Sequence, residues 1–274
     1  MKKHTFIPYL TGLMALILFA TRAEAQQTVN DIIAAERNFA AYAAAYNTRD
    51  AFMRFLDTAH SIELRNGQAI KSYETWNNRR PDSSKLKWRP AFAGIAKSGD
   101  LGFTTGPWEY RKSAGEQPVA SGEFATIWHL NSKGEWKFLV DIGTGFSEAA
   151  YSVDTVQKFN STYSDIADDD PLTVDRRFTQ QYAALGNNAF TAVITGDTWF
   201  VIDGNLPLKG MQNITAGYGL LPAGLQFIET GGGTSTAGDL CYVYGTARKA
   251  DKIGNYLRVW QKTAGGYKLL LQVL

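Results

Sequence analysis

The sequence predicts an α+β protein in which two copies of one small domain follow each other along the chain. Three observations point to this. Two separated stretches repeat at the same offset, an amphipathic helical pattern starts each copy, and a series of strand-like segments ends it. Each copy must bury its own hydrophobic core, so a repeat fixes the number of domains. We therefore expect two domains, each with N-terminal helices packed on a mostly antiparallel sheet.

The repeat is visible at separated places in the chain. The stretches Glu36-Arg37-Asn38-Phe39 and Gly99-Asp100-Leu101 return 139 positions later as Asp175-Arg176-Arg177-Phe178 and Gly238-Asp239-Leu240. Further on, Trp128 aligns with Trp260 at an offset of 132. The smaller offset indicates that the second copy lacks a few residues of one hairpin.

The repeat divides the chain into four segments. Residues 1–25 precede the first copy, which covers residues 26–144, and the second copy covers residues 171–274. Residues 145–170 have no counterpart and are polar, so we interpret them as a linker.

Within the first copy, helical and strand-like patterns follow each other in a definite order. A long amphipathic helix starts after a cap at Thr28 with Asp31 three residues on. We expect a short helix over 49–56, a strand over 60–64, a helix over 68–77, and then strands over 86–97, 101–111, 122–130 and 135–143. The second copy repeats this order.

The first 25 residues have the pattern of a secretory signal peptide. Lys2 and Lys3 precede an apolar stretch over residues 7–20, and Ala23-Glu24-Ala25 fits a small-x-small cleavage site. The apolar stretch is shorter than the roughly 20 residues that a membrane helix needs. We therefore expect cleavage near Gln26 and a periplasmic or secreted protein without membrane contact, a permanent anchor being the alternative.

Composition argues against nucleic-acid and metal partners. Residues 1–25 carry three of the 28 basic and one of the 26 acidic residues, so the remainder has no net formal charge. A neutral chain lacks the electrostatic footprint of nucleic-acid binding. His60 and His129 stand apart, and no HExxH or CxxC spacing occurs. We expect no metal and no cofactor.

Particular stretches carry a family resemblance. The element order, residues 98–110 (SGDLGFTTGPWEY) and residues 136–144 (WKFLVDIGT) resemble the NTF2-like superfamily, in its secreted branch described as domain of unknown function 4440, related to SnoaL-like and ketosteroid-isomerase-like proteins. The resemblance covers about residues 29–144 and, more faintly, 172–274. It implies a curved sheet around the long helix that leaves a cone-shaped cavity for small, mostly apolar molecules. The ketosteroid isomerase trio of Asp, Tyr and protonated Asp cannot be placed here residue by residue.

The resemblance also proposes candidate ligand-binding residues. Aromatic residues on elements that border the cone in the family are Tyr42, Trp76, Trp88, Trp108 and Trp128. The alternative for each of them is core packing, which is the more common role of such residues.

Asp141 is the most interesting carboxylate, because apolar residues surround it near the end of a strand. Uninterrupted alternation places Asp141 with Lys137 and Leu139, opposite Phe138 and Val140. If that face lines the cavity, burial raises the pKa of Asp141, and a hydroxyl such as that of Thr105 offsets the cost. If it faces solvent, Asp141 is an ordinary surface charge.

Functional hypotheses of three classes remain at this point. The first is a binding protein that holds a small apolar or amphipathic molecule in the first copy, the second copy being structural. The second is an isomerase, dehydratase or cyclase that uses Asp141 and His60, and the third is a protein-interaction module. Two polar groups converging in an apolar cavity would favour the enzyme, one would favour binding, and a filled cavity would favour interaction. We expect a monomer in which the two sheets pair within one chain.

Overall fold

The computed structural model describes residues 26–163 and 170–274. The predicted signal peptide and residues 164–169 of the predicted linker lie outside these ranges. The α+β class predicted from the sequence is confirmed, because each half has helices packed on a mixed, mostly antiparallel sheet. Among the described residues, no helix is long and apolar enough to cross a membrane.

The first half begins with helices that pack on its sheet. The predicted capping box forms, since Thr28 and Asp31 close the N-terminus of the first helix reciprocally. The helices are α1 (Val29–Ala45), α2 (Thr48–Phe55) and α3 (Ser72–Asn78).

The sheet of the first half is built around long antiparallel strands. Its strands are β1 (Ile62–Arg65), β2 (Gln68–Lys71), β3 (Lys85–Trp88), β4 (Phe92–Ile95), β5 (Leu101–Arg111), β6 (Ala120–Leu130), β7 (Trp136–Phe146) and β8 (Gln157–Asn160). Their order is β2-β1-β7-β6-β5-β4-β8, with β3 paired to the far end of β5. Strand β1 runs parallel to β7, and β8 runs parallel to β4.

The second half repeats this plan in shorter form. Asp170 caps its first helix and Pro171 follows at the first helical position. The helices are α4 (Pro171–Leu185) and α5 (Gly210–Ala216), with 3₁₀ turns at Gly186–Ala192 and Tyr218–Leu220. The strands are β9 (Trp199–Val201), β10 (Leu208–Lys209), β11 (Gln226–Thr234), β12 (Leu240–Lys249), β13 (Lys252–Thr263) and β14 (Gly266–Val273), in the order β10-β9-β14-β13-β12-β11.

Strand registers in the two halves correspond at the offsets seen in the sequence. Thr126 pairs with Asp141, and at the equivalent place Arg258 pairs with Gln272. Both sheets also carry a β-bulge at the same point, where Leu139 in β7 and Leu270 in β14 have no partner in the register. The two sheets therefore place side chains on matching faces.

The two sheets pack face to face and share one hydrophobic core. Residues of both halves form a single buried cluster, in which the rings of Phe92 and Trp199 stack 5.3 Å apart. Reciprocal hydrogen bonds connect the hairpins: the backbone nitrogen of Thr236 donates to Asp100 at 2.9 Å, and that of Lys97 donates to Asp239 at 2.8 Å. Contacts that are exchanged in this way are typical of a two-fold axis.

Three segments differ from the sequence-based interpretation. Residues 68–71 form strand β2 before α3 begins, whereas a single helix was predicted over 68–77. The strand predicted over 86–97 is interrupted at Pro90, which has no N–H to donate to the ladder. Residues 145–170, interpreted as a linker, contain the end of β7 and all of β8.

Candidate functional site

A cavity of about 440 Å³ lies between the helices and the sheet of the first half. Its wall is mostly aromatic and aliphatic, and the polar groups are few. The lining residues are Phe39, Phe52, Glu63, Leu64, Arg65, Trp76, Arg79, Leu86, Trp88, Trp108, Tyr110, Ala120, Phe124, Thr126, Asp141, Ile142 and Gly143. This volume lies in the range of roughly 300–1,000 Å³ typical of small-molecule pockets.

The β-bulge in β7 turns Asp141 toward the cavity. Phe138 packs on Phe39 of α1, with ring centroids 5.8 Å apart, and Asp141 faces the same side three residues later. Val140 instead belongs to the core between the sheets. The uninterrupted alternation predicted from the sequence is wrong here, since the extra residue of a bulge resets which face the following side chains point to.

Asp141 is half-buried and accepts a hydrogen bond from the hydroxyl of Thr126 at 3.0 Å. Burial raises the pKa of Asp141 to about 8, and the neighbouring charge of Glu63 adds to this effect. The raised pKa favours the protonated form of the carboxyl group, which can donate as well as accept a hydrogen bond.

Glu63 supplies a second carboxyl group at the cavity wall. It is the Cα partner of Asp141 across the parallel strands β1 and β7. Trp76 donates its indole N–H to Glu63, and Arg65 forms an ion pair with it. Desolvation raises the pKa of Glu63, although Arg65 opposes the shift. Two carboxyl groups therefore converge on one mostly apolar cavity.

A third carboxylate, Glu36, is fully buried in α1. The indoles of Trp88 and Trp128 and the hydroxyl of Thr104 donate hydrogen bonds to it. Desolvation raises its pKa, and these donors counteract the shift. With three donors in place, Glu36 anchors the helix to the sheet.

The structure brings together only some of the residues predicted to bind a ligand. The cavity is lined by Trp76, Trp88, Trp108 and Asp141. Tyr42 instead packs on Tyr46 at the outer side of α1, so it does not reach the cavity wall.

Trp128 and Thr105 also lie outside the cavity wall. Trp128 is fully buried and donates to Glu36. Thr105 points to the opposite side of β5 from Thr104, because adjacent residues of a strand alternate, and its hydroxyl donates to the carbonyl of Phe124 on the neighbouring strand β6 at 2.6 Å. The hydroxyl beside Asp141 belongs to Thr126 instead.

His60 is separate from the cavity. Its side chain is 74% exposed, and its Nδ1 lies 3.1 Å from Asp57. His129 contacts the other oxygen of the same carboxylate at 3.0 Å. His60 therefore cannot act on a molecule bound beside Asp141. In residues 26–163 and 170–274, no group of three or more His, Cys, Asp or Glu could hold a metal ion.

In the second half, Arg258 spans the corresponding space between sheet and helix. Its side chain is fully buried, and its Nη1 lies 3.0 Å from Asp175 on α4. Its Nε donates to Gln272 at 2.7 Å. Since Arg258 and Gln272 occupy the positions of Thr126 and Asp141, an arginine fills in one half the region that is open in the other.

Sequence reasoning did not assign Glu63 and Thr126 to this site, whereas Trp108 was among its aromatic candidates and lines the cavity. Trp108 donates its indole N–H to the carbonyl of Thr144 at 3.1 Å, which fixes its ring. The sequence did carry a signal for Glu63, which stands between the apolar residues Ile62 and Leu64 in a short strand. A glutamate in such a place is rarely buried unless it is paired, so it is a candidate for a functional site.

The comparisons with known proteins are limited to the fold. No protein-family model and no curated protein matches the chain. An NTF2-like protein of unknown function from Shewanella oneidensis MR-1 is 18% identical, with a TM-score of 0.34 over 42% of this chain and 96% of its own. Nuclear transport factor 2 from Cryptosporidium parvum is 15% identical, with a TM-score of 0.30 over 37% and 90%. A de novo designed protein with a curved β-sheet is 10% identical, with a TM-score of 0.33 over 38% and 97%.

Proposed function

We propose that the first half binds a small, mostly apolar molecule in the cavity between its helices and its sheet. The observation that carries this proposal is a cavity of about 440 Å³ with an aromatic wall and a carboxyl pair, Glu63 and Asp141. Apolar walls with a few polar groups are typical of ligand sites, because the walls supply affinity and the polar groups fix the orientation.

Native mass spectrometry of the protein purified from its own host tests this proposal. We expect an additional mass that disappears on denaturation. Gly143 lines the cavity, and a Cβ built there meets the indole nitrogen of Trp108 at 3.6 Å, an ordinary contact distance. Gly143→Leu should fill the cavity and abolish the additional mass. Gly115→Leu is the matched control, since its position has open space around it. An equal ligand load on parent and Gly143→Leu would refute cavity binding.

A second candidate function is proton transfer on the bound molecule. Proton transfer is favoured by the two carboxyl groups in register. Such a pair titrates as a unit, so it can retain one proton at a pH at which either carboxyl group alone would be ionised. Asp141 then acts as the acid or base toward the ligand, and Glu63 sets its pKa. The test is exchange of a carbon-bound hydrogen of the isolated ligand in deuterium oxide. Catalysed exchange that Asp141→Asn removes supports the enzyme, and its absence supports binding alone.

We further propose that the chain is an exported tandem pair of NTF2-like domains of the branch described as domain of unknown function 4440. The leader pattern of residues 1–25, the residues 98–110 and the matching strand registers support this. N-terminal sequencing of the periplasmic or medium fraction should start near Gln26. Intact Met1 on membrane-retained protein would contradict export.

A further inference from the structure

We infer that the cavity of the first half selects an organic cation, an amine or an amidine on an apolar body. This inference rests on the proposed binding function and names the chemical class of its ligand. The observation behind it is that the second half already holds a cation at the equivalent place, supplied by its own chain.

The guanidinium group of Arg258 lies inside a ring of aromatic side chains. Its Cζ is 4.6 Å from the ring centroid of Phe178, 4.0 Å from that of Phe227 and 4.5 Å from that of Tyr256. We call these three residues the second-half cage. Aromatic faces attract cations through the ring quadrupole, and this attraction is stronger away from water. The cage surrounds one buried nitrogen, Nη2, which makes no hydrogen bond.

The first half has aromatic residues at each position of this cage. Phe39 corresponds to Phe178 on the first helix of its half. The strand registers give the other two matches, Trp88 for Phe227 and Phe124 for Tyr256, because the pairs Trp88–Trp108 and Gly106–Phe124 recur as Phe227–Ala247 and Gly245–Tyr256. We call Phe39, Trp88 and Phe124 the first-half cage. All three line the cavity.

The two cages differ in the charge and size of the side chains next to them on the sheet. The second half has Arg258 and the neutral Gln272, whereas the first half has the short Thr126 and the ionisable Asp141. In place of a cation of its own, the first half therefore offers open volume and a carboxyl group. A ligand cation would favour the ionised form of Asp141 and would take the place that the guanidinium group of Arg258 has in the second half.

The two arginines of the cavity wall each have an ion-pair partner, and in the described residues neither of them pairs with Asp141. Arg65 is paired with Glu63, and its side chain is 52% exposed. Arg79 is paired with Asp82 and stacks on Trp76, and its side chain is 42% exposed. Both groups therefore lie toward solvent, at the mouth of the cavity. Within residues 26–163 and 170–274, the side chain of Asp141 accepts a hydrogen bond only from the neutral hydroxyl of Thr126.

A pair of probes with the same shape tests the inference. Benzamidinium is a cation at neutral pH, and benzamide is its neutral isostere. Isothermal titration of the protein, unfolded and refolded to remove any resident molecule, should show benzamidinium binding at least about tenfold more tightly than benzamide. Equal binding, or tighter binding of benzamide, would overturn the cation selectivity while leaving the cavity a binding site. Binding of neither probe would also overturn it, and the native mass measurement decides separately on the proposed function.

Variants assign the selectivity to the cavity carboxyl groups. Asp141→Asn and Glu63→Gln should each reduce the preference for benzamidinium severalfold, with little change for benzamide. Glu123→Gln is the matched control. Glu123 is a fully buried carboxyl on the same sheet, but it faces the second half. Tyr151, in the segment between the two copies, donates a hydrogen bond to it at 3.0 Å. A preference that Asp141→Asn and Glu123→Gln reduce equally would contradict the assignment.

Discussion

Glu63 and Asp141 are neighbours across parallel strands, and both carboxyl groups line the cavity of the first half. Burying two acidic groups side by side disfavours the ionised forms of both, because each loses water and each repels the other. Natural proteins commonly retain such an arrangement where function requires it.

Asp141→Asn should raise stability increasingly as pH rises. The pKa of Asp141 is raised from 3.8 to about 8 by folding, so the native state binds the proton more tightly than the unfolded state. The parent protein therefore loses stability as pH rises from about 4 to about 8. The variant lacks this loss.

Melting temperatures at pH 5 and pH 8 measure this effect. We expect a small gain for Asp141→Asn at pH 5 and a larger gain at pH 8, together with weaker ligand binding. Gains that are equal at the two pH values would mean that Asp141 titrates normally. Glu123→Gln, whose parent carboxyl also has a pKa raised to about 8, should show the same pH trend without loss of ligand.

Arg258→Ala should destabilise the second half strongly. The substitution leaves Asp175 buried without its cationic partner, which typically costs about 3–5 kcal/mol. Arg176→Ala, one residue further along α4, removes an exposed ion pair with Glu229 and should change stability little. Urea denaturation compares the two variants. Similar unfolding free energies for both would show that the buried pair is not a structural anchor.

Trp88→Phe should weaken both stability and ligand binding. Trp88 lines the cavity and donates its indole N–H to the buried Glu36, and an unsatisfied buried acceptor costs about 1–3 kcal/mol. Trp136→Phe is a suitable control, since its indole bonds to Gln27 at a partly exposed position. Thermal unfolding and binding of the native ligand provide the measurements. A Trp88 variant as stable as the control would remove the anchoring role.

The protein should be a monomer in solution. The hydrophobic core that the two sheets share, in which Phe92 stacks on Trp199, covers the sheet faces of both halves within one chain. A second chain would then have no equivalent face to cover. Multi-angle light scattering should give the mass of a single chain. A dimer as the sole species would contradict this prediction.

Much of the fold could be predicted because helical periodicity, caps and the repeat are local patterns. The capping box at Thr28 formed where the sequence placed it. Strand β2 was missed, since four residues at a hairpin carry too little periodic signal to distinguish them from the first turn of a helix. Strand β8 was missed because its pairing with the distant β4 gives it its extended form.

By itself, the sequence determined the α+β class, the tandem order of elements and the aromatic candidates Trp76 and Trp88. Only the tertiary structure decided which face Asp141 occupies, because a single bulged residue at Leu139 reverses the alternation that follows it. The structure also brought Glu63 beside Asp141, across a parallel strand pair that joins residues far apart in the chain. Only the structure showed that the cavity is open in one half and filled by an arginine in the other. The short Thr126 lines the open cavity, whereas Arg258 at the equivalent position reaches Asp175 on the helix.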